Sequence, residues 1–363
     1  MQKNIDIEAL RTYAVGMTVI AHLGELIPAW TSSLSVFWLG SGVDLFFCIS
    51  GFLICQILLQ QRDSTFGDVA KVFWVKRVSR LWPAAMFWSV FSLWCAFFFK
   101  DGVFGSFNDS LTNALFSMLQ FENGYLVGCV YFQWLPCAIS PNYWVYWSLS
   151  LEEQFYFVFP FLLFFVRMRY LVPALLIMVL LQLAIVRPWG TPLWFFRTDA
   201  LLLGVLLAVL KQNVYLKNIR LFDNNNVIRV ACVVSLLAAT VLLARRDWFS
   251  LFHSYVVLAA FALVVLASFN KNYIVSSERG RRVSCFFGAR SYSIYLIHTI
   301  AYYLTREIFI RLGAGGEPTQ VHIALMLIVA AVLLGLMVEF SYRLVEQPCR
   351  LYGRNLVASY REE

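Results

Sequence analysis

Residues 39–60 read LGSGVDLFFCISGFLICQILLQ, twenty-two residues with one charge, Asp44. As a helix rising ~1.5 Å per residue, this stretch is about 33 Å long, enough to cross a hydrocarbon layer of roughly 30 Å. Comparable apolar stretches lie on both sides of it, at 10–27, 81–99, 145–166, 170–187, 198–211, 228–244, 250–269, 290–311 and 320–342. The chain is 60% hydrophobic and only 14% charged, more apolar surface than a soluble core of this length buries. The pattern predicts an all-α fold, a polytopic transmembrane helix bundle of about ten spans. Residues 1–363 are expected to form a single integral-membrane domain with no appended soluble domain. The first stretch is interrupted by His22 and Glu25 and lacks a small-residue cleavage site, so it reads as a retained helix and not as a signal peptide.

The net charge of +8 sits in short turns between apolar stretches, which is the signature of topology and excludes a nucleic-acid partner. With the amino terminus placed in the cytoplasm, only Lys100, Arg187, Arg197, Arg245, Arg246, Arg306 and Arg311 fall outside. The other basic residues, Lys3, Lys217, Arg220 and Arg361 among them, fall inside, which predicts both termini to be cytoplasmic. Loop 100–144 is the one long outer connection. Its aromatic composition suits either a sugar-contacting lid or a belt at the membrane interface. Cys129 and Cys137 share that loop and are candidates for a disulfide in an oxidising compartment. The other six cysteines lie in or beside apolar stretches as inert filler. Four scattered histidines without close acidic partners predict no metal site.

Ionisable groups placed at membrane depth carry the functional signal, because each costs a few kcal/mol to insert and normally faces the bundle interior. Arg11 and His22 are eleven residues apart, about three helical turns, so both project from one face ~16 Å apart. His22 is a candidate general base; the alternative is a buried histidine bonded to a neighbouring helix. Asp44 can orient an imidazole or pair with a basic group, while Gly40, Gly42, Ser50 and Gly51 permit close helix packing. Arg77 and Arg80, in Lys76-Arg77-Val78-Ser79-Arg80, lie near one helical face with forks suited to phosphates, although cytoplasmic turns collect basic residues in any case. The run from Asn142 to Tyr156 contains Tyr143, Trp147 and Ser148 as candidate substrate-binding residues. Its aromatic faces can stack on sugar rings or simply pack. Of Glu152 and Glu153, about 100° apart on their helix, one is expected to face the site. Arg197-Thr198-Asp199, Tyr292, Tyr295 and His298 complete the polar inventory, with His298 expected in a structural hydrogen bond.

The order of these runs resembles the membrane-bound acyltransferase family 3, which contains bacterial O-antigen and peptidoglycan O-acetyltransferases. The resemblance rests on Arg11 with His22, Gly42-Val43-Asp44-Leu45-Phe46-Phe47 with Ser50-Gly51-Phe52, and Arg77-Val78-Ser79-Arg80. It continues through Trp147 to Tyr156, Arg197 to Gly204, Ser291 to His298 and Glu346-Gln347-Pro348. It implies a ten-helix bundle of the bacterial inner (cytoplasmic) membrane that takes an acyl group from acetyl-CoA, or another acyl-CoA, to a hydroxyl of a cell-surface glycan or lipid-linked sugar. It also implies that His22 is catalytic, that Arg11 assists it, and that Arg77 and Arg80 hold coenzyme A. Many relatives carry a soluble hydrolase-like domain after the last helix, so the membrane part is expected to complete the transfer alone or with a partner.

The resulting expectation is that His22 removes a proton from the acceptor hydroxyl, or briefly receives the acyl group, with Glu152 or Asp44 orienting the imidazole. Membrane lipids and a second copy of the chain are the further partners the sequence allows. The alternatives are a proton-coupled secondary transporter using the same intramembrane His, Asp, Glu and Arg, or a scaffold whose polar residues only hold helices together.

Overall fold

Each of the ten apolar stretches coincides with a helix in the computed structural model. It describes residues 4–36, 39–100, 102–133, 137, 139–212, 221–222, 225–245, 248–313 and 319–360. Lys3, Lys217, Arg220, Arg246 and Arg361, which entered the charge pattern, lie outside these residues. The helices are α1 (Ile5–Ala21), α2 (Ser41–Leu59), α3 (Phe66–Phe98), α4 (Phe107–Met118), α5 (Glu122–Val130), α6 (Tyr146–Phe165) and α7 (Met168–Ala184). They continue with α8 (Asp199–Leu210), α9 (Asn226–Leu242), α10 (Phe252–Ser268), α11 (Glu278–Arg311), α12 (Gln320–Phe340) and α13 (Gln347–Ser359). Among the described residues the fold is all-α. Among the described residues, four helical segments are long and apolar enough to cross a membrane by length and composition: Ser41–Leu59, Phe66–Phe98, Pro192–Leu210 and Gln320–Ser359.

Polar side chains start these helices where the sequence leaves the apolar runs. Asn4, Thr65, Ser277 and Thr319 each accept a hydrogen bond from a first-turn N–H of the helix that follows, satisfying donors that have no partner within the helix. The Asp6 carboxylate, in the first turn of α1, accepts from the N–H groups of Tyr273 and Ile274 at 3.0 and 3.1 Å. This ties α1 to the turn before α11.

Helices α3 and α11 begin at Phe66 and Glu278, well before the expected 81 and 290. Hydropathy registers only the apolar part of a helix, whereas Lys, Arg and Glu continue one readily in a polar setting. Segment 100–144, expected as a loop, contains α4 and α5. Both are shorter than a membrane-length window, so they leave little trace in hydropathy. They pack onto the bundle: Glu122 N–H donates to Ser150 Oγ at 3.1 Å, and Gln154 Nε2 donates to the Gln120 carbonyl at 3.0 Å. Cys129 and Cys137 are joined by a disulfide, with Cα atoms 5.4 Å apart.

α2 and α8 lie at the centre of the bundle, and 72% of the apolar window of the segment containing α8, Pro192–Leu210, is buried. Of the apolar window of α2, 67% is buried inside the protein, against 17% for the segment containing α12, whose apolar surface faces outward. Small residues allow this burial. A Cβ on Gly51 would collide with the Leu201 carbonyl of α8, and one on Gly204 with the Cys48 carbonyl of α2. The two backbones are therefore in direct contact, as small-residue interfaces permit in membranes.

Candidate active site

Helix α1 stops at His22. Its backbone adopts φ −97° and ψ 6°, and a separate four-residue helix, Leu23–Leu26, follows it. The His22 N–H still reaches the Thr18 carbonyl at 3.3 Å, and the same carbonyl lies 2.9 Å from the ring Nδ1. Opposite stands His298 of α11, fully buried, with its Nε2 3.2 Å from His22 Nδ1 and its Nδ1 2.7 Å from the Tyr295 carbonyl.

These contacts assign the protons. A carbonyl can only accept, so the neutral His298 ring carries its proton on Nδ1 and presents Nε2 as an acceptor. His22 Nδ1 then faces two acceptors and must hold its own proton. His22 Nε2 is left with its lone pair free, on the side of Glu25, whose Oε1 lies 3.9 Å away. An imidazole held this way is a competent general base or nucleophile.

Three adjoining cavities are arranged along the helices. The first, a basic cavity of about 490 Å³, is lined by Lys76, Arg77 and Arg80 of α3, by Gln347, Arg350 and Arg354 of α13, and by Gln61. Arg77 and Arg80 also line the second, a narrow central cavity of about 80 Å³ that contains Arg11, Ser50, Ser148, Glu152, Tyr156, Tyr292 and Tyr295. Val43 and Tyr295 border both this cavity and the third, an aromatic cavity of about 400 Å³ containing His22, Glu25, Trp144, Trp147, Trp189 and Trp194. Along α2 the order is the same: Leu58 lines the basic cavity, Ser50 the central one and Val43 the junction with the aromatic one. Arg11 and His22, on one face of α1, thus open into adjacent chambers.

The residues singled out in the sequence divide between these chambers and the frame around them. Glu152 lines the central cavity with Arg11, Arg77 and Arg80, whereas Glu153 accepts from Trp82 Nε1 at 3.0 Å. Ser148 Oγ lies 2.5 Å from the Tyr295 hydroxyl, at the junction of the central and aromatic cavities. Trp147 lines the aromatic cavity, and the Arg197 guanidinium lies 4.8 Å above its ring.

Three expectations are corrected. Asp44 does not orient His22: it is paired with Arg197 at 2.9 Å, both side chains fully buried, beside a second buried pair, Arg187 and Asp199, at 2.8 Å. A buried carboxylate needs a cation more than an imidazole needs a carboxylate, and the nearby guanidinium takes it. Glu152 is likewise in a different chamber from His22. Tyr143 lines none of the three cavities: it is fully buried and donates to the Ser89 carbonyl at 3.0 Å, a packing role.

His298 and Glu25 were visible as intramembrane ionisable residues, but sequence spacing assigned them no partner. Glu25 lies three residues after His22, a spacing that brings side chains together on a helical turn. That was the available local signal. Trp144 and Trp189, stacked with centroids 5.4 Å apart and planes 11° from parallel, add an aromatic wall to the His22 chamber.

Apolar helices around a basic entrance, a narrow passage and an aromatic chamber with an oriented histidine define a membrane protein with a through-bundle site. The chain belongs to acyltransferase family 3: the family's model, described as an acyltransferase domain, matches residues 4–339. Proteins named O-acetyltransferase OatA from Staphylococcus aureus strains NCTC 8325 / PS 47 and COL are 26% identical to it over 367 residues. The alignment covers 96% of this chain and 57% of each relative, so the chain spans little more than half of their length. No solved structure matches it. Family membership favours acyl transfer over proton-coupled transport.

Proposed function

We propose that this protein is an integral-membrane O-acyltransferase that receives an acyl group, acetyl by preference, from acyl-CoA at the basic end and delivers it to a glycan hydroxyl at the aromatic end. The observation that carries this reading is the run of three adjoining cavities with Arg77 and Arg80 at one junction and the oriented His22 in the last chamber. The basic end faces the cytoplasm by the positive-inside rule, with ten spans and both termini inside.

In this reading the guanidinium forks of Arg77 and Arg80 hold donor phosphates. Arg11 supplies positive charge along the narrow passage, and Glu152 lies among these cations and limits their mutual repulsion. His22 Nε2 accepts the proton of the acceptor hydroxyl as its oxygen bonds to the thioester carbonyl carbon. The carbon–sulfur bond then breaks, and the imidazolium returns the proton to the departing thiolate. Trp147 and the stacked Trp144 and Trp189 present flat apolar faces to a sugar ring, as aromatic side chains do for ligands with one apolar side.

Mass spectrometry of surface glycans from cells with and without the protein tests the reading directly. A mass difference of one acyl group per modified sugar that disappears in His22→Ala is the expected result. Glycans identical in the two strains would overturn it.

A further inference from the structure

We infer that α13 is part of the donor site, and that Arg350 and Arg354 bind the phosphates at the nucleotide end of the acyl donor. The inference rests on the acyl-CoA reading above and extends it to a helix beyond the residues the family model matches.

The basic cavity gathers five cationic side chains, Lys76, Arg77, Arg80, Arg350 and Arg354, and among the described residues no carboxylate lines it. Among the described residues none of the five has an ion-pair partner. Other arginines behave differently: Arg290 and Arg343 share Glu339, and Arg282 pairs with Glu278. Five like charges gathered around a space of about 490 Å³ repel one another; Glu152 near Arg77 and Glu346 near Arg80 and Arg350 reduce that repulsion from outside the cavity, and a polyanion inside it relieves it further.

The arrangement is held in place. Gln347, Arg350 and Arg354 recur at helical spacing on one face of α13. Behind them Gly353 packs so closely on Ser79 of α3 that a Cβ there would clash with it. At the far end of the helix, Lys71 sits 3.6 Å from the Tyr360 ring centroid. A π-helical stretch, Ser341–Glu346, joins α12 to α13, a local widening found often at functional sites. Its Glu346 turns inward to accept a hydrogen bond from Ser293. The arginines of α13 are thereby held against those of α3.

The ligand chemistry is a phosphomonoester together with a diphosphate, which several guanidinium forks can grip at once. Coenzyme A carries both. An anionic lipid headgroup offers the same chemistry in weaker form and is separated from it by the test.

The test is CoA titration of the full chain in zwitterionic nanodiscs, with 3′-dephospho-CoA as comparison ligand. Wild type is expected to prefer CoA over dephospho-CoA. Arg350→Ala/Arg354→Ala is expected to lose about tenfold or more in CoA affinity and to bind the two ligands alike. Arg350→Lys/Arg354→Lys, which keeps charge but not the fork, should fall between them. Size-exclusion profiles and melting temperatures matching wild type exclude a folding defect. Wild-type CoA affinity in the alanine variant overturns the inference; if that variant instead loses bound anionic lipid in native mass spectrometry, the site belongs to a headgroup. A wild-type protein that binds no CoA overturns the donor reading itself, an outcome visible before any variant is made.

Discussion

Replacing His22 separates its chemistry from its architecture. His22→Ala removes the proposed base, a contribution of roughly 10²- to 10⁴-fold in rate, or about 3–5 kcal/mol of activation free energy. The structural cost is smaller. The ring makes polar contacts with the Thr18 carbonyl and His298 Nε2 and is 29% exposed, so its loss destabilises the fold by about 1–2 kcal/mol, and membrane levels should stay near wild type. His22→Asn is the sharper variant. Its amide N–H can occupy the place of Nδ1 and donate to the same two acceptors, yet it offers no basic lone pair where Nε2 was. Both variants should therefore lose at least a hundredfold of alkali-labile acyl ester on purified surface glycan, measured per unit of inserted protein. Donor affinity should change less than twofold, because Arg11, the nearest cationic residue on the same helix face, is eleven residues away, ~16 Å along α1. A His22→Asn protein with more than a third of wild-type ester would refute the assignment of Nε2 as the base.

Three further outcomes follow from the same geometry. His298→Ala should lower kcat about fivefold with little change in donor KM, since one orienting hydrogen bond is worth about 1 kcal/mol. His298→Gln, whose amide oxygen can accept from His22 Nδ1, should recover most of the rate; equal loss in both variants would argue for packing alone. Asp44→Ala leaves Arg197 buried without its carboxylate and should cost about 3–5 kcal/mol in unfolding measurements, with Asp44→Ala/Arg197→Met recovering a large part; an unchanged melting temperature in the single variant would contradict the pairing. Tyr143→Phe should cost about 1 kcal/mol of stability while keeping glycan acylation within twofold, and a tenfold loss of product at normal protein levels would return Tyr143 to the substrate site.

Much of the architecture was legible because membrane insertion is governed by local composition. Twenty or so apolar residues predict a helix wherever they occur, and all ten stretches proved helical. Helices α4 and α5 escaped notice because each is shorter than the length that such a signal requires.

What the amino-acid sequence determined alone is the set of helices and which residues share a face of one of them: Arg11 with His22, Arg77 with Arg80, and Glu152 apart from Glu153. These follow from helical periodicity, which acts over a few residues. Only the tertiary structure decided the partners: His298 meets His22 across 276 residues of chain, Arg197 claims Asp44, and the arginines of α13 join those of α3. Such pairings depend on which helix faces pack together, and that is set by the contacts small residues allow and by the need of each buried charge for an opposite one. No local window of sequence contains that information.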